Sequence, residues 1–388
     1  MYRTYEIKGK CIRICKDLKL IKVYIEDNRK SEIVMKKNIN YQNVNTAILL
    51  TTLCRHKHLE KCLDSLRKNP WAGYVDLYIG LDYPAKDSHW PGYREILKLM
   101  EKDYSMFRSF HLYKRPKNYG AEKNMEALYQ EVIKDHEQFI FMEDDTEFSE
   151  NFLEYMLKAL DYFRNDPDVL SVTGYAYPVR LQTGKNCSII TQNAIGNMWG
   201  VGSWKNKYEV FRKEIEEDLC LIRDFSYNIK HCKFSRYRKV DYINCVAGVD
   251  PDDKDVYRLC PMFTSTTDIA MGVYMQVYGK YQAMPIISKV RNNGFDGTGL
   301  FCQAVKPTRF GRITSDSYDY SRQPIDRREH FTLRYDGGRS RKTNFRTLDR
   351  FVKPGAKMVI KSGIQLIAYR ILGKRKLKLL RIYRKHFR

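Results

Sequence analysis

The sequence predicts a doubly wound α/β fold, and three observations point there. Short apolar runs alternate with amphipathic helical stretches over residues 45–175. The run at 46–53 is continuously apolar up to its threonines, as expected of a strand covered on both faces of a parallel sheet. Two of the runs end in carboxylates, at Asp82 and at Glu143-Asp144-Asp145, and the carboxyl edge of such a sheet is where ligands bind.

The elements follow in order. Residues 1–44 read as an N-terminal extension of short strands, such as Leu20-Ile21-Lys22-Val23-Tyr24-Ile25, without identifiable chemistry. The strand at 46–53 leads to a helix with Leu59, Cys62, Leu63 and Leu66 on one face, ending before Asn69-Pro70. A second strand runs from 75 to 82 and a shorter third from 110 to 113. A polar loop at 114–120 and a helix through Met125, Leu128 and Val132 come next. The fourth strand, Phe139-Ile140-Phe141-Met142, delivers the three acids. Behind it Phe152, Met156, Leu160 and Phe163 recur at helical spacing, with Ser149 as cap and Phe148 stapled to Leu153. A fifth strand spans 169–174.

Charges do not gather beside a core strand without a counter-charge, and a divalent cation is an economical one. The plainer reading is a polar strand end with solvated acids; three adjacent acids between a buried strand and a capped helix favour the metal. No G-x-G-x-x-G follows the first strand, so the usual dinucleotide fold is not expected; Arg55 and His56 occupy that turn. Eight histidines form no pair at helical metal spacing, so zinc is not expected either. Asp250-Pro251-Asp252-Asp253 and the acids at 316–319 read as solvated.

From 176 to 305 the pattern loosens. Trp199-Gly200-Val201-Gly202-Ser203-Trp204 fits core packing and a flat ligand platform equally well. Asp268, at the start of a run with Ile269, Val273 and Val277, reads on its own chemistry as a first-turn acid favoured by the helix dipole. The glycine-dense loop at 292–299 is either a lid or a turn.

The net charge of the 388-residue chain is +23, which implies anionic partners: nucleic acid, an anionic membrane or phosphorylated substrates. Ten scattered cysteines without a CxxC pair suggest reduced thiols in a cytoplasmic protein. No signal-like stretch opens the chain and no run is long enough to span a bilayer, so the expectation is a soluble or peripheral protein. The tail from 306 is strongly basic, with no acid after Asp349. In it Ile360, Ile364, Ile367 and Ile371 form an apolar stripe flanked by Lys361 and Arg370, the composition of an interfacial helix on an anionic membrane through residues 355–388. A helix docked on the domain is the rival, and a nucleic-acid arm is not expected because the interleaved residues are aliphatic.

With these residues placed, the chain resembles the GT-A glycosyltransferases, in particular bacterial family 2-type sugar transferases and more distantly the N-acetylglucosaminyltransferase I group. The likeness covers residues 45–305, with 45–175 as the nucleotide-sugar half, 176–305 as the acceptor half and 306–388 as a basic tail outside it. It implies a GT-A, Rossmann-like fold: a mixed, mainly parallel sheet flanked by helices. It also implies that Arg55, Asp82, Lys123, Glu143, Asp144, Gly202 and Trp204 bind the donor, and that Asp145, last of the E-D-D triplet, holds Mn2+ or Mg2+. Asp268 stands where inverting members place their catalytic base, and the loop at 293–299 matches the closing motif after it. The activity implied is inverting transfer from a UDP-type sugar donor to a glycan or lipid-linked oligosaccharide, in cell-surface polysaccharide assembly at the inner face of the plasma membrane. The rivals are a sugar nucleotidyltransferase, whose basic Gly-rich turn after the first strand is absent, and a basic RNA-binding protein.

Overall fold

The computed structural model describes residues 2–7, 10–15, 45–246, 264–299, 315, 317–338, 342–352 and 355–372. The expected strand at 20–25, the acids at 250–253 and residues 373–388 of the basic tail lie outside them. The chain divides into two units, residues 1–40 and 41–388. In the first, β1 (Tyr2–Ile7) and β2 (Lys10–Cys15) pair as an antiparallel hairpin.

The second unit is built on an eight-stranded mixed sheet. In chain order its strands are β3 (Thr46–Thr52), β4 (Val75–Leu81), β5 (Ser109–Lys114), β6 (Gln138–Glu143), β8 (Val169–Thr173), β9 (Ile189–Gln192), β10 (Val201–Trp204) and β11 (Tyr281–Pro285). Their spatial order is β5-β4-β3-β6-β10-β8-β11-β9. The first four are mutually parallel, and β11 is parallel to β8. β10 enters antiparallel between β6 and β8, and β9 lies antiparallel on β11. This is the expected mixed, mainly parallel sheet flanked by helices.

Alternate side chains on each strand feed two cores. Ile48, Leu50, Leu77, Ile79, Ile140 and Met142 face α1 (His56–Arg67), α2 (Trp90–Leu99) and α4 (Phe152–Phe163). Ala47, Leu49, Tyr78, Phe139 and Phe141 face α3 (Ala121–Val132), α5 (Lys205–Arg212) and α9 (Asp268–Tyr278). Between α5 and α9 come α6 (Cys220–Arg223), α7 (Phe225–His231) and α8 (Arg236–Val246). A two-stranded sheet pairs β7 (Thr146–Phe148) with β12 (Val290–Asn292), and α10 (Lys342–Phe351) and α11 (Ala356–Leu372) close the described chain.

One capping expectation is corrected. Asn151, not Ser149, stands before α4, and its side chain makes no cap; the Ser149 hydroxyl instead donates to Asn151 Oδ1 at 2.9 Å. Residues 149–152 instead form a turn in which the Phe152 amide donates to the Ser149 carbonyl at 3.0 Å, so the helix starts later. Among the described residues Cys54, Cys62, Cys187, Cys220 and Cys232 are free thiols. Among the described residues no helix is long and apolar enough to cross a membrane.

Candidate active site

The acids come off the carboxyl end of β6 in register with β3, whose Thr51 pairs with Glu143. Asp144 and Asp145 turn inward and are buried, while Glu143 stays exposed. Thr52 donates its hydroxyl to Asp144 Oδ2 at 2.9 Å. Arg55, in the turn after β3, bridges the pair: one guanidinium nitrogen bonds Asp144 Oδ1 and the other lies 2.8 Å from Asp145 Oδ2. Burial works against the Arg55 charge, but Asp144 and then Asp145 outweigh it and hold the guanidinium firmly protonated. Burial raises the Asp144 pKa, with Arg55 opposing and Asp145 adding to it. Crowding by the surrounding protein, then the charges of Asp145 and Asp144, push the exposed Glu143 carboxyl up to about 8.

The loop after β12 clasps Asp145. The Asn293 amide donates to the Asp145 carbonyl at 2.8 Å, and Asn292 Oδ1 accepts from the Gly294 amide at 2.7 Å. A Cβ on Gly294 would collide with the Asp145 carboxylate, so this close approach requires glycine. Asp296 reaches across to His58 at 3.1 Å, and Phe295 meets the Trp199 ring at 5.8 Å between centroids. The loop forms a turn at 295–298 and packs directly on Asp145.

Asp82 follows β4 directly and is buried. Its Oδ1 accepts from the amides of Tyr83 (2.9 Å) and Tyr119 (2.8 Å), its Oδ2 from the Gly120 amide (2.8 Å) and Asn118 Nδ2 (3.2 Å). As placed, both oxygens are taken, and Asp82 pins the loop before α3 rather than offering a free acceptor to a base. Gly120, at φ 77°, lets that loop turn into the helix. Lys123 sits exposed on the first turn of α3.

Gly202 and Trp204 are not at the acids. Because β10 runs against β6, Val201 pairs with Phe141 near the acids but Trp204 pairs with Gln138 at the other end. Trp204 is 1% exposed, under the Lys207 ammonium, and a Cβ on Gly202 would meet Met156 Cε at 2.8 Å on α4. Both belong to the core, which corrects their placing at the donor. Trp199, the other indole of the segment, is the one on the side of the 292–299 loop, edge-on to Tyr175 and Tyr320.

Asp268 is the first residue of α9, capped by Thr267, whose hydroxyl accepts from the Ala270 amide. Its side chain is about half exposed, at 47%, and its charge reaches Glu143, adding to the upward push on that carboxyl. The preceding Thr264 hydroxyl is bonded to Glu122 of α3 at 2.9 Å. Beneath Asp268 lies a fully buried guanidinium: Arg238 Nη2 is 3.9 Å from Asp268 Oδ2 and Nη1 is 3.3 Å from Asp241 Oδ2. Burial pushes Asp241 up to about 6, against the pull of Arg238. A Cβ on Gly272 would strike the Arg238 guanidinium, so that glycine gives Arg238 its place against α9.

No family model matches the chain, and no curated protein matches it. Among the solved structures similar to the chain are several of S. aureus TarS. TarS 1-349 in complex with UDP-GlcNAc is 14% identical, with a TM-score of 0.28, over 37% of this chain and 38% of that one. TarS 1-349 alone is 12% identical, with a TM-score of 0.31, over 60% and 90%. The longer TarS structure is 11% identical, with a TM-score of 0.30, over 56% and 50%. The first of these is matched over less than two-fifths of its length.

The donor chemistry at the acids fits a hard divalent ion. Magnesium sites commonly use one or two carboxylates and complete their shell with substrate phosphates and water. Asp145 offers a buried carboxylate, and Glu143 an exposed one that makes no ion pair among the described residues. Those residues contain no group of three or more His, Cys, Asp or Glu placed to hold a metal ion. In the chain by itself, Arg55 is the counter-charge.

Sequence reasoning missed Thr52, Asn292 and Arg238. Thr52 reads as one more β-branched strand residue, and Asn292 as part of a turn. Arg238 gives no signal at all, being one of three cations in Arg236-Tyr237-Arg238-Lys239, of which it alone is fully buried.

Proposed function

We propose that this chain is an inverting, metal-dependent glycosyltransferase that moves a sugar from a nucleotide-diphosphate donor, UDP-linked on the resemblance, to a hydroxyl of a glycan or lipid-linked oligosaccharide. The reading is supported by two contacts at the carboxyl edge of the sheet: Asp268 lies within electrostatic reach of Glu143, and the 292–299 loop packs on Asp145. Asp268 is exposed enough to meet an incoming hydroxyl, and the Arg238 guanidinium lies 3.9 Å from its carboxylate. In the step itself the acceptor oxygen bonds to the anomeric carbon while the bond from that carbon to the diphosphate oxygen breaks. The electron pair leaves with the diphosphate, and the hydroxyl proton passes to Asp268. Arg55 supplies positive charge beside the departing group. A Mn2+ or Mg2+ ion, when bound, would be held by Asp145 with Glu143 beside it and would supply further counter-charge to the diphosphate.

Asp268→Asn tests the assignment. Turnover falls about 10²–10⁴-fold, as for loss of a general base, while donor binding, read by thermal shift with UDP-sugars, persists. A variant with full turnover overturns the role of Asp268.

The same reading places the enzyme in the cytoplasm against the inner face of a bacterial plasma membrane. Support comes from α11, which packs on α8 through a side that includes Leu366 and the buried Ser362. Ile360, Ile364, Ile367 and Ile371, each more than half exposed, point elsewhere within an arc of about 60°. Residues 355–388 carry eleven Lys and Arg and no acid. A second copy of the helix would set like charges against each other, whereas an anionic lipid surface complements both the stripe and its flanks.

A further inference from the structure

Away from the acids, Arg180, Leu181, Gln182, Thr343, Arg346, Thr347 and Arg350 line a depression of about 490 Å³, within the size range of small-ligand sites. Four of them, Thr343, Arg346, Thr347 and Arg350, share one face of α10, three or four residues apart. Two arginines at i and i+4 repel and cost a helix stability, and among the described residues no carboxylate pairs with either, nor with Arg180. Asp349, the acid between them, is turned away to accept from the Tyr237 amide at 3.2 Å.

The pocket is assembled in advance. Buried Asn344 accepts from the Gln182 amide and donates to the Gln182 carbonyl, both at 2.7 Å, and the Thr343 hydroxyl donates to Gln182 Oε1 at 2.8 Å. Leu348 and Phe351 anchor the opposite face of α10 in the core. The wall carrying Arg180 therefore cannot drift from the helix carrying Arg346 and Arg350. That wall follows Tyr177, which lies near enough to Asp268 to feel its charge and whose ring is 6.1 Å from that of Phe351.

We propose that this pocket binds a phosphate or diphosphate group, and that it holds the anionic part of the acceptor while a hydroxyl elsewhere on that molecule reaches Asp268. Planar guanidiniums pair phosphate oxygens two at a time, and a hydroxyl beside them adds a neutral donor. Three arginines, unpaired among the described residues and held around one depression, suit that anion better than a single carboxylate. The acceptor role rests on the transferase reading; phosphate binding does not.

The test is calorimetric titration of the full chain with inorganic pyrophosphate and, separately, with farnesyl diphosphate, before and after Arg346→Gln/Arg350→Gln. The proposal expects both ligands to bind and the double variant to weaken them about 30-fold or more, by loss of two charge-assisted contacts. Farnesyl diphosphate binding tenfold more tightly than pyrophosphate assigns the site to a lipid headgroup; equal binding assigns it to a free phosphate group. No binding to the parent chain, or binding that the variant leaves unchanged, overturns it. Thermal shift by UDP-sugars, followed on the same variant, keeps this outcome separate from that of the donor site: a lost shift in the parent condemns the transferase reading, not the pocket.

Discussion

Arg55→Met is the most searching perturbation of the acid site. It keeps the aliphatic stem and removes the charge that bridges Asp144 and Asp145, which are 4% and 5% exposed. Removing one partner of a buried ion pair costs about 3–5 kcal/mol, because the other is left charged in a poor solvent. Two features reduce that here. The Arg55 side chain is 23% exposed, and Thr52 still donates to Asp144. The expected loss is therefore about 2–3 kcal/mol, read as the shift in the denaturant unfolding curve in EDTA. If the vacated carboxylates can take a divalent ion, Mn2+ at a hundred times its dissociation constant returns about 2.7 kcal/mol, enough to offset the loss. A variant within about 0.5 kcal/mol of the parent would show that Arg55 is not the counter-charge. A destabilised variant that manganese does not restore would refute the metal site while leaving the ion pair intact.

Other outcomes follow from the same geometry. Asp76 is buried, which alone would raise its pKa, but hydrogen bonds from Arg108, His136 and Ser109 together hold it well below the usual carboxylate range. Its contribution is present above the unfolded value near 4 and is lost as pH falls further. Asp76→Asn should thus cost about 2 kcal/mol at neutral pH and flatten the acid limb of stability between about pH 4 and 2; an unchanged acid limb would contradict this. Gly272→Ala drives a methyl into the Arg238 guanidinium and should cost about 1–3 kcal/mol, with turnover falling more than donor affinity; equal stability would mean that the buried arginine has room to move. Flotation on phosphatidylglycerol vesicles should be lost in Ile364→Asp/Ile367→Asp and weakened by high salt, whereas binding indifferent to both would remove the membrane from the account.

Much of the sheet was legible because its strands are covered on both faces: runs such as Ile48-Leu49-Leu50 and Phe139-Ile140-Phe141 leave periodicity little room for error. The acids at the end of β6 were legible for a related reason, since charge against a core strand is costly and stands out. What escaped was set by tertiary contact. Nothing local says that β10 runs antiparallel, yet that direction decides which tryptophan of the 199–204 segment faces the 292–299 loop and which is interred. Asp82 shows the same limit: an acid after a strand is easy to find, but whether it serves a ligand or the amides of its own loop depends on residues 36 to 38 positions away. The arginines at 180, 346 and 350 meet only because two distant segments are stitched at Asn344.

The direction of β10 also bears on how the molecule assembles. Residues 46–143 can form four neighbouring parallel strands while the chain is still being made, but β8 has no partner on that side until residues 201–204 exist to fill the gap. Until then the free edges of β6 and β8 are open to mispairing, the situation in which large sheets stall or aggregate. Pulse-labelled hydrogen exchange should find β3, β4 and β6 protected first, and β8 only together with β10.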